Sequence, residues 1–228
     1  VTPFRSITSL AAVLDEDDID TDIIFPARFL LLPNKVGLGK HAFHERRQAL
    51  PGKDPFILDR PPYDKAEILI ASRNFGTGSS REQAVWALAD FGIRCVIAAS
   101  FGEIFYGNCF KNGVLAIVKT GDDFAALQAA GKAGAEITVD LVAQTISTAE
   151  GLRQTFEVDA FRRESLLEGL DEIGSILARD IDDVRAFEER QRLIAPWLYL
   201  DRAELSFFDD LDPENALEPS ERLIERKS

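Results

Sequence analysis

Methionine is absent from the 228 residues, and cysteine and histidine occur twice each. The residues offer no physical reason for the missing methionine. Two cysteines, Cys95 and Cys109, exclude a disulfide scaffold. They also exclude an iron–sulfur cluster or a structural zinc held by this chain alone, because such sites take about four ligands, mostly thiolates or imidazoles. Both lie in apolar stretches and read as buried, inert thiols. Basic residues are scarce, with 26 Lys+Arg against 39 Asp+Glu and a net charge of −13. That deficit argues against nucleic-acid binding and against docking on an anionic membrane. No apolar run approaches the roughly 20 residues of a membrane span. Ile7–Leu14 is short, runs straight into Asp15, Glu16, Asp17 and Asp18, and lacks the basic start of a signal peptide. The expectation is a soluble, cytoplasmic protein. An apolar fraction of 46% is ordinary for a globular chain and supplies one large or two small domains with a core.

No internal repeat or low-complexity block is visible. Ser6–Leu14 predicts a strand that enters the acidic turn Asp15–Asp22. From Ile23 to Pro62 the chain is weakly periodic and punctuated by Pro and Gly, which marks a mobile loop or lid near 28–62. The middle is regular. Glu67–Ser72, Arg94–Ala99 and Val114–Lys119 predict buried strands, and Ser79–Phe91, Ser100–Lys111 and Asp122–Lys132 predict the helices between them. That alternation is an α/β layered pattern. Glu136–Val158 alternates as an antiparallel excursion, and Ala160–Leu193 is helical, with Leu166, Leu167, Leu170, Ile173 and Leu177 on one stripe. One domain spans 1–200, and 201–228 is an appendage with an acidic stretch and a basic end.

The stretch that carries chemistry is Ser72-Arg73-Asn74-Phe75-Gly76-Thr77-Gly78-Ser79-Ser80-Arg81-Glu82-Gln83, which follows a strand and opens a helix. Gly76 and Gly78 let the backbone turn sharply and let a ligand approach the amides. A helix N-terminus offers unpaired N–H groups and positive potential to an anion. Arg81 adds a fork suited to carboxylate or phosphate. A plainer reading stands beside this one, since Ser79-x-x-Glu82 is a capping box that explains both residues without a ligand. A Walker loop is absent, and the dinucleotide fingerprint fails because Arg81 stands where its third glycine belongs.

Four motifs recur in order. They are Asp20-Thr21-Asp22 with Pro26 beyond it, Asn74-Phe75-Gly76-x-Gly78-Ser79-Ser80-Arg81-Glu82, Ile104-Phe105-Tyr106-x-Asn108, and Asp159-x-Phe161-Arg162-Arg163 with Gly169-Leu170-Asp171-x-Ile173-Gly174. Together they resemble the small subunits of 3-isopropylmalate dehydratase, in the aconitase superfamily, over residues 5–192. The resemblance implies a three-layer β/β/α swivelling domain of the aconitase C-terminal type. It implies a hydro-lyase, active only with a large subunit that bears a 4Fe–4S cluster. The implied reaction isomerises 2-isopropylmalate to 3-isopropylmalate through isopropylmaleate. By the same resemblance Ser79 is the base that takes the proton α to a carboxylate, and Arg81 clamps a substrate carboxylate with Ser80 beside it. Asn74, Gly76, Thr77, Gly78, Asp20 and Asp22 support the turn, and no metal is bound by this chain.

Lys35 stands where relatives carry a basic residue before a Thr-Gly pair, with Val36 in place of the hydroxyl residue. It is either a second carboxylate contact or a solvated loop lysine. Leu30, Leu31 and Leu32 either face the substrate's alkyl group or anchor the loop. Thr77 replaces a usual cysteine, Gln83 a histidine, and Glu164-Ser165 a His-Cys pair. These departures keep two alternatives open: the same machinery acting on citramalate, methylmalate or another alkylmalate, and a non-catalytic assembly module. His41 and His44 with Glu45 make a weak metal motif, and Asp15–Asp22 lacks the spacing of a calcium loop. Arg162-Arg163 serves either internal ion pairs or a partner.

Overall fold

The computed structural model describes residues 2–32, 35–48 and 54–200. β1 (Ser6–Leu14) changes character along its length. Its first half pairs antiparallel with β5 (Glu136–Asp140), and its second half, from Ala11, pairs parallel with β2 (Ile68–Ala71). β3 (Cys95–Ala98) and β4 (Leu115–Val118) extend the parallel side, and β6 (Thr145–Thr148) and β7 (Arg153–Thr155) extend the antiparallel side. The result is one curled seven-stranded sheet in the order β4-β3-β2-β1-β5-β6-β7. Every residue of β2 and β3 is buried, as parallel strands covered on both faces must be. The sheet and its helices form the α/β arrangement expected, and the three buried runs lie where the sequence places strands.

α3 (Gln83–Phe91) and α4 (Glu103–Lys111) make the parallel crossovers β2 to β3 and β3 to β4, and α5 (Gly121–Lys132) leads from β4 to the antiparallel β5. α5 packs against β1, β2 and β5. Gly131 permits its close approach, because a Cβ there would stand 2.7 Å from Val13 Cγ2. Both α3 and α4 start later than the apolar stripes suggest, since residues 79–82 and 100–102 are turn and bridge.

The weakly periodic stretch before β2 holds α1 (Thr21–Ile24), α2 (His44–Arg47) and four single helical turns at Ala27–Phe29, Gly39–His41, Ile57–Asp59 and Tyr63–Lys65. Elements this short show no period, but they bury Phe25, Leu38, Ala42, Phe43 and Leu58. Residues 33, 34 and 49–53 of the expected loop lie outside the described residues.

The helical stretch after β7 is two helices, α6 (Ala160–Glu168) and α7 (Glu172–Ile194). Gly169 ends α6 at φ +68, and Leu170 N donates to Ser165 O at 2.9 Å, a left-handed stop that glycine adopts freely. The expected single stripe is therefore divided: Leu166 is buried, whereas Ile173 and Leu177 are exposed. The chain divides into two compact units, Val1–Ser175 and Ile176–Ser228. In the second, Ala195 N donates to Gln191 O at 2.7 Å and the Arg192 guanidinium lies 4.8 Å from the centre of the Tyr199 ring. The expected extension 201–228 lies outside the described residues. No helix among the described residues is long and apolar enough to cross a membrane.

Candidate functional site

The carboxyl ends of β1, β2 and β3 converge on the glycine-rich turn, the place where open parallel sheets bind ligands. The turn is held from both sides by backbone pairs. On one side Gly76 N donates to Ile19 O at 2.7 Å and Thr21 N to Thr77 O at 3.0 Å. On the other, Phe75 N donates to Ser100 O at 3.0 Å and Gly102 N to Phe75 O at 2.9 Å. Asn74 and Asp18 both take left-handed backbone conformations, and Asn74 Nδ2 donates to Asp18 Oδ1 at 2.7 Å. Ser100 Oγ accepts from Asn74 N at 2.8 Å.

The acidic turn is the other half of this construction. Asp20 caps α1 by accepting from Ile23 N at 2.7 Å. Asp17 accepts from both Nε and Nη2 of Arg73, and those bonds hold its carboxyl below the usual range. Asp15 accepts from Lys132 Nζ at 2.5 Å, which likewise lowers its carboxyl. Asp22 pairs with Arg81. Each acid has its own donor, and among the described residues no group of three or more His, Cys, Asp or Glu gathers as a metal site.

Ser79 and Ser80 are exposed at the tip. The carbonyl of Ser79 accepts from Arg81 N at 2.8 Å and from Thr21 Oγ1 at 3.3 Å, while its hydroxyl has no hydrogen bond among the described residues. The capping box is not formed. Glu82 itself is the N-cap of α3, without a side-chain cap bond, and its carboxylate accepts from Asn112 Nδ2 at 2.7 Å instead. Arg81 is mostly buried, its side chain 22% exposed, and Nη1 is engaged by Asp22. No other hydrogen bond occupies the guanidinium among the described residues, so further N–H donors are available.

The structure brings Asn74, Gly76, Thr77, Gly78, Ser79, Ser80, Arg81, Asp20 and Asp22 into this one turn. Lys35 joins it indirectly. Its Nζ lies 4.3 Å from the centre of the Trp86 ring and donates to Asn112 Oδ1 at 3.4 Å. His41 and His44 gather around Phe29, with ring centres at 4.0 and 4.9 Å. Arg162 stacks over Tyr106 and Phe110, and Arg163 donates to the carbonyls of Leu141 and Val142. The sequence does not single out Asp17, Asp18, Ser100 and Asn112, because each meets its partner in the turn from far along the chain.

Cys95 in β3 and Cys109 in α4 are buried, and burial pushes both thiols well above their ordinary range. Two thiols, with no group of three or more His, Cys, Asp or Glu gathered among the described residues, fall short of the about four ligands a cluster takes.

A curled sheet carrying a Gly-x-Gly-Ser-Ser-Arg turn at its carboxyl end defines a domain of the aconitase C-terminal class. The aconitase C-terminal domain model matches residues 2–120, and the LeuD_N model matches 125–160. The small subunit of 3-isopropylmalate dehydratase from Paramagnetospirillum magneticum is 47% identical over 199 residues, covering 86% of this chain and 98% of that protein. Its counterpart from Magnetococcus marinus is 44% identical over 211 residues, covering 87% and 99%. The crystal structure of 3-isopropylmalate dehydratase (leuD) from Methanocaldococcus jannaschii aligns with a TM-score of 0.59 at 26% identity, covering 79% of this chain and 99% of that one. The chain belongs to the 3-isopropylmalate dehydratase small-subunit family.

Proposed function

We propose that this chain is the small subunit of a two-chain hydro-lyase of leucine biosynthesis, working in the cytoplasm. It isomerises 2-isopropylmalate to 3-isopropylmalate through isopropylmaleate, with Ser79 as base and Arg81 as carboxylate clamp. The observation that carries the reading is the free Ser79 hydroxyl on a turn whose backbone is tied down on both sides.

A serine hydroxyl is a poor base, so its anion needs positive charge nearby. Arg81, two residues on, supplies it and binds a substrate carboxylate with the donors that Asp22 leaves open. The Ser79 alkoxide takes the proton α to that carboxylate, the departing hydroxide takes a proton from solvent to leave as water, and isopropylmaleate remains. Return of water to the neighbouring carbon, and of the proton from Ser79, gives 3-isopropylmalate. The large subunit's 4Fe–4S cluster supplies the Lewis acid for the departing hydroxyl. Lys35 acts from the rim, tied to the turn through Asn112 and Glu82.

Anaerobic co-expression with the cluster-bearing large subunit tests the reading. The captured complex is expected to prefer 2-isopropylmalate over citramalate and smaller alkylmalates. Preference for a smaller acid would keep the chemistry and replace the substrate. A cluster-loaded complex without dehydratase activity would overturn it.

A further inference from the structure

Glu82 lies three residues from Ser79 and next to Arg81, yet its carboxylate points to neither. It is held by Asn112, the residue that closes α4. Asn112 uses its amide fully: Nδ2 donates to Glu82 Oε1 at 2.7 Å and to Asn108 O at 2.9 Å, and Oδ1 accepts from Lys35 Nζ at 3.4 Å. The reversed amide would set Oδ1 against a carboxylate and a carbonyl, so the network fixes its orientation. Glu82 is the N-cap of α3 and adjoins Arg81 in the chain, so no bond within its own helix start holds its side chain. Released from Asn112, it would bring a negative charge to a serine that must ionise and to the arginine that must bind a carboxylate.

From this we infer that Asn112 is a positioning residue for the reaction: by holding the Glu82 carboxylate away from the turn, it leaves Ser79 and Arg81 free for the substrate. The inference rests on the roles proposed above for Ser79 and Arg81. It differs from a purely structural role for Asn112, which would be indifferent to the charge on Glu82. Once released, Glu82 competes with the substrate carboxylate for Arg81 and opposes ionisation of Ser79. A glutamine released in the same way does neither.

The experiment compares the wild-type complex with N112A, E82Q and N112A/E82Q, with kcat and KM referred to the amount of captured large subunit. N112A is expected to lower kcat/KM about 10- to 100-fold, the scale of a small misplacement at a reacting group. E82Q alone should stay within about threefold of wild type, because a glutamine carbonyl still accepts from Asn112. The double variant should recover at least half of the lost kcat on a logarithmic scale, while KM stays raised because Lys35 has lost its acceptor.

Should N112A fail to assemble, N112D and N112D/E82Q make the same comparison. An aspartate in place of Asn112 repels Glu82, and the double variant restores a donor–acceptor pair. Wild-type kcat/KM in N112A or N112D, or a double variant as slow as the corresponding Asn112 single variant, overturns the inference. Absence of isomerase activity from the wild-type complex overturns the proposed function and this inference with it, so the two failures are told apart in one assay.

Discussion

Gly76 rests against the ring of Phe105: a Cβ built on it would lie 2.2 Å from Phe105 Cγ. The ring cannot swing away, because it is buried and meets Phe75 edge-on at 5.4 Å. Gly76 also sits at φ +72, where an L side chain is strained. Gly76→Ala therefore faces a clash and a backbone penalty together, about 2–4 kcal/mol from overpacking and left-handed strain. Urea denaturation of the free subunit measures it. A loss under about 0.5 kcal/mol would show that the aromatic cluster behind the turn yields easily.

Ser79→Ala separates chemistry from structure. The hydroxyl caps nothing and is exposed, so stability should change by less than about 0.5 kcal/mol and capture of the large subunit should be unaffected. Turnover should fall about 100- to 10,000-fold, the usual contribution of a positioned base. Wild-type turnover by an intact complex would remove Ser79 from the role proposed for it.

The strands were readable because Ile68–Ala71 and Cys95–Ala98 are unbroken apolar runs, which parallel strands buried on both faces require. The turn was readable because Gly76 and Gly78 sit directly after such a run. The single helical turns between Ala27 and Lys65 were not, since three residues show no period. The long-range ties escaped for another reason. Asp17 to Arg73, Asp18 to Asn74 and Asp22 to Arg81 each join residues far apart in the chain, and sequence spacing carries no trace of them. The capping box misled in the same way: Ser79 and Glu82 have the right spacing, but Asn112 takes Glu82 from outside the segment.

Arg81→Lys tests the clamp. Lysine keeps the charge, and Asp22 can still pair with it, but the planar fork is lost. KM should rise on the order of tenfold or more, as expected when a bidentate charged contact becomes a point charge. Complex formation should remain intact. If KM is unchanged while kcat alone falls, Arg81 contributes to the transition state and does not hold the substrate in the ground state.

His41 gives the free subunit a defined acid sensitivity. Its ring stacks on Phe29 at 4.0 Å, and burial lowers its pKa, with the charges of Lys40, His44 and Arg28 adding to the effect. Because the folded value lies below the unfolded value of about 6.5, the unfolded chain binds more protons in the interval between them. This contribution to stability is complete above that unfolded value and is lost as pH falls through the folded one. Asp15 and Asp17 are also lowered, but from carboxylate values, so their contributions fade only in stronger acid. His41→Phe keeps an aromatic ring beside Phe29 and removes the titration. Denaturation midpoints measured between about pH 7.5 and 5.5 should fall more steeply for the wild type than for the variant. Parallel curves would show that protonated His41 is tolerated against Phe29 without cost, and that acid sensitivity in this range arises elsewhere.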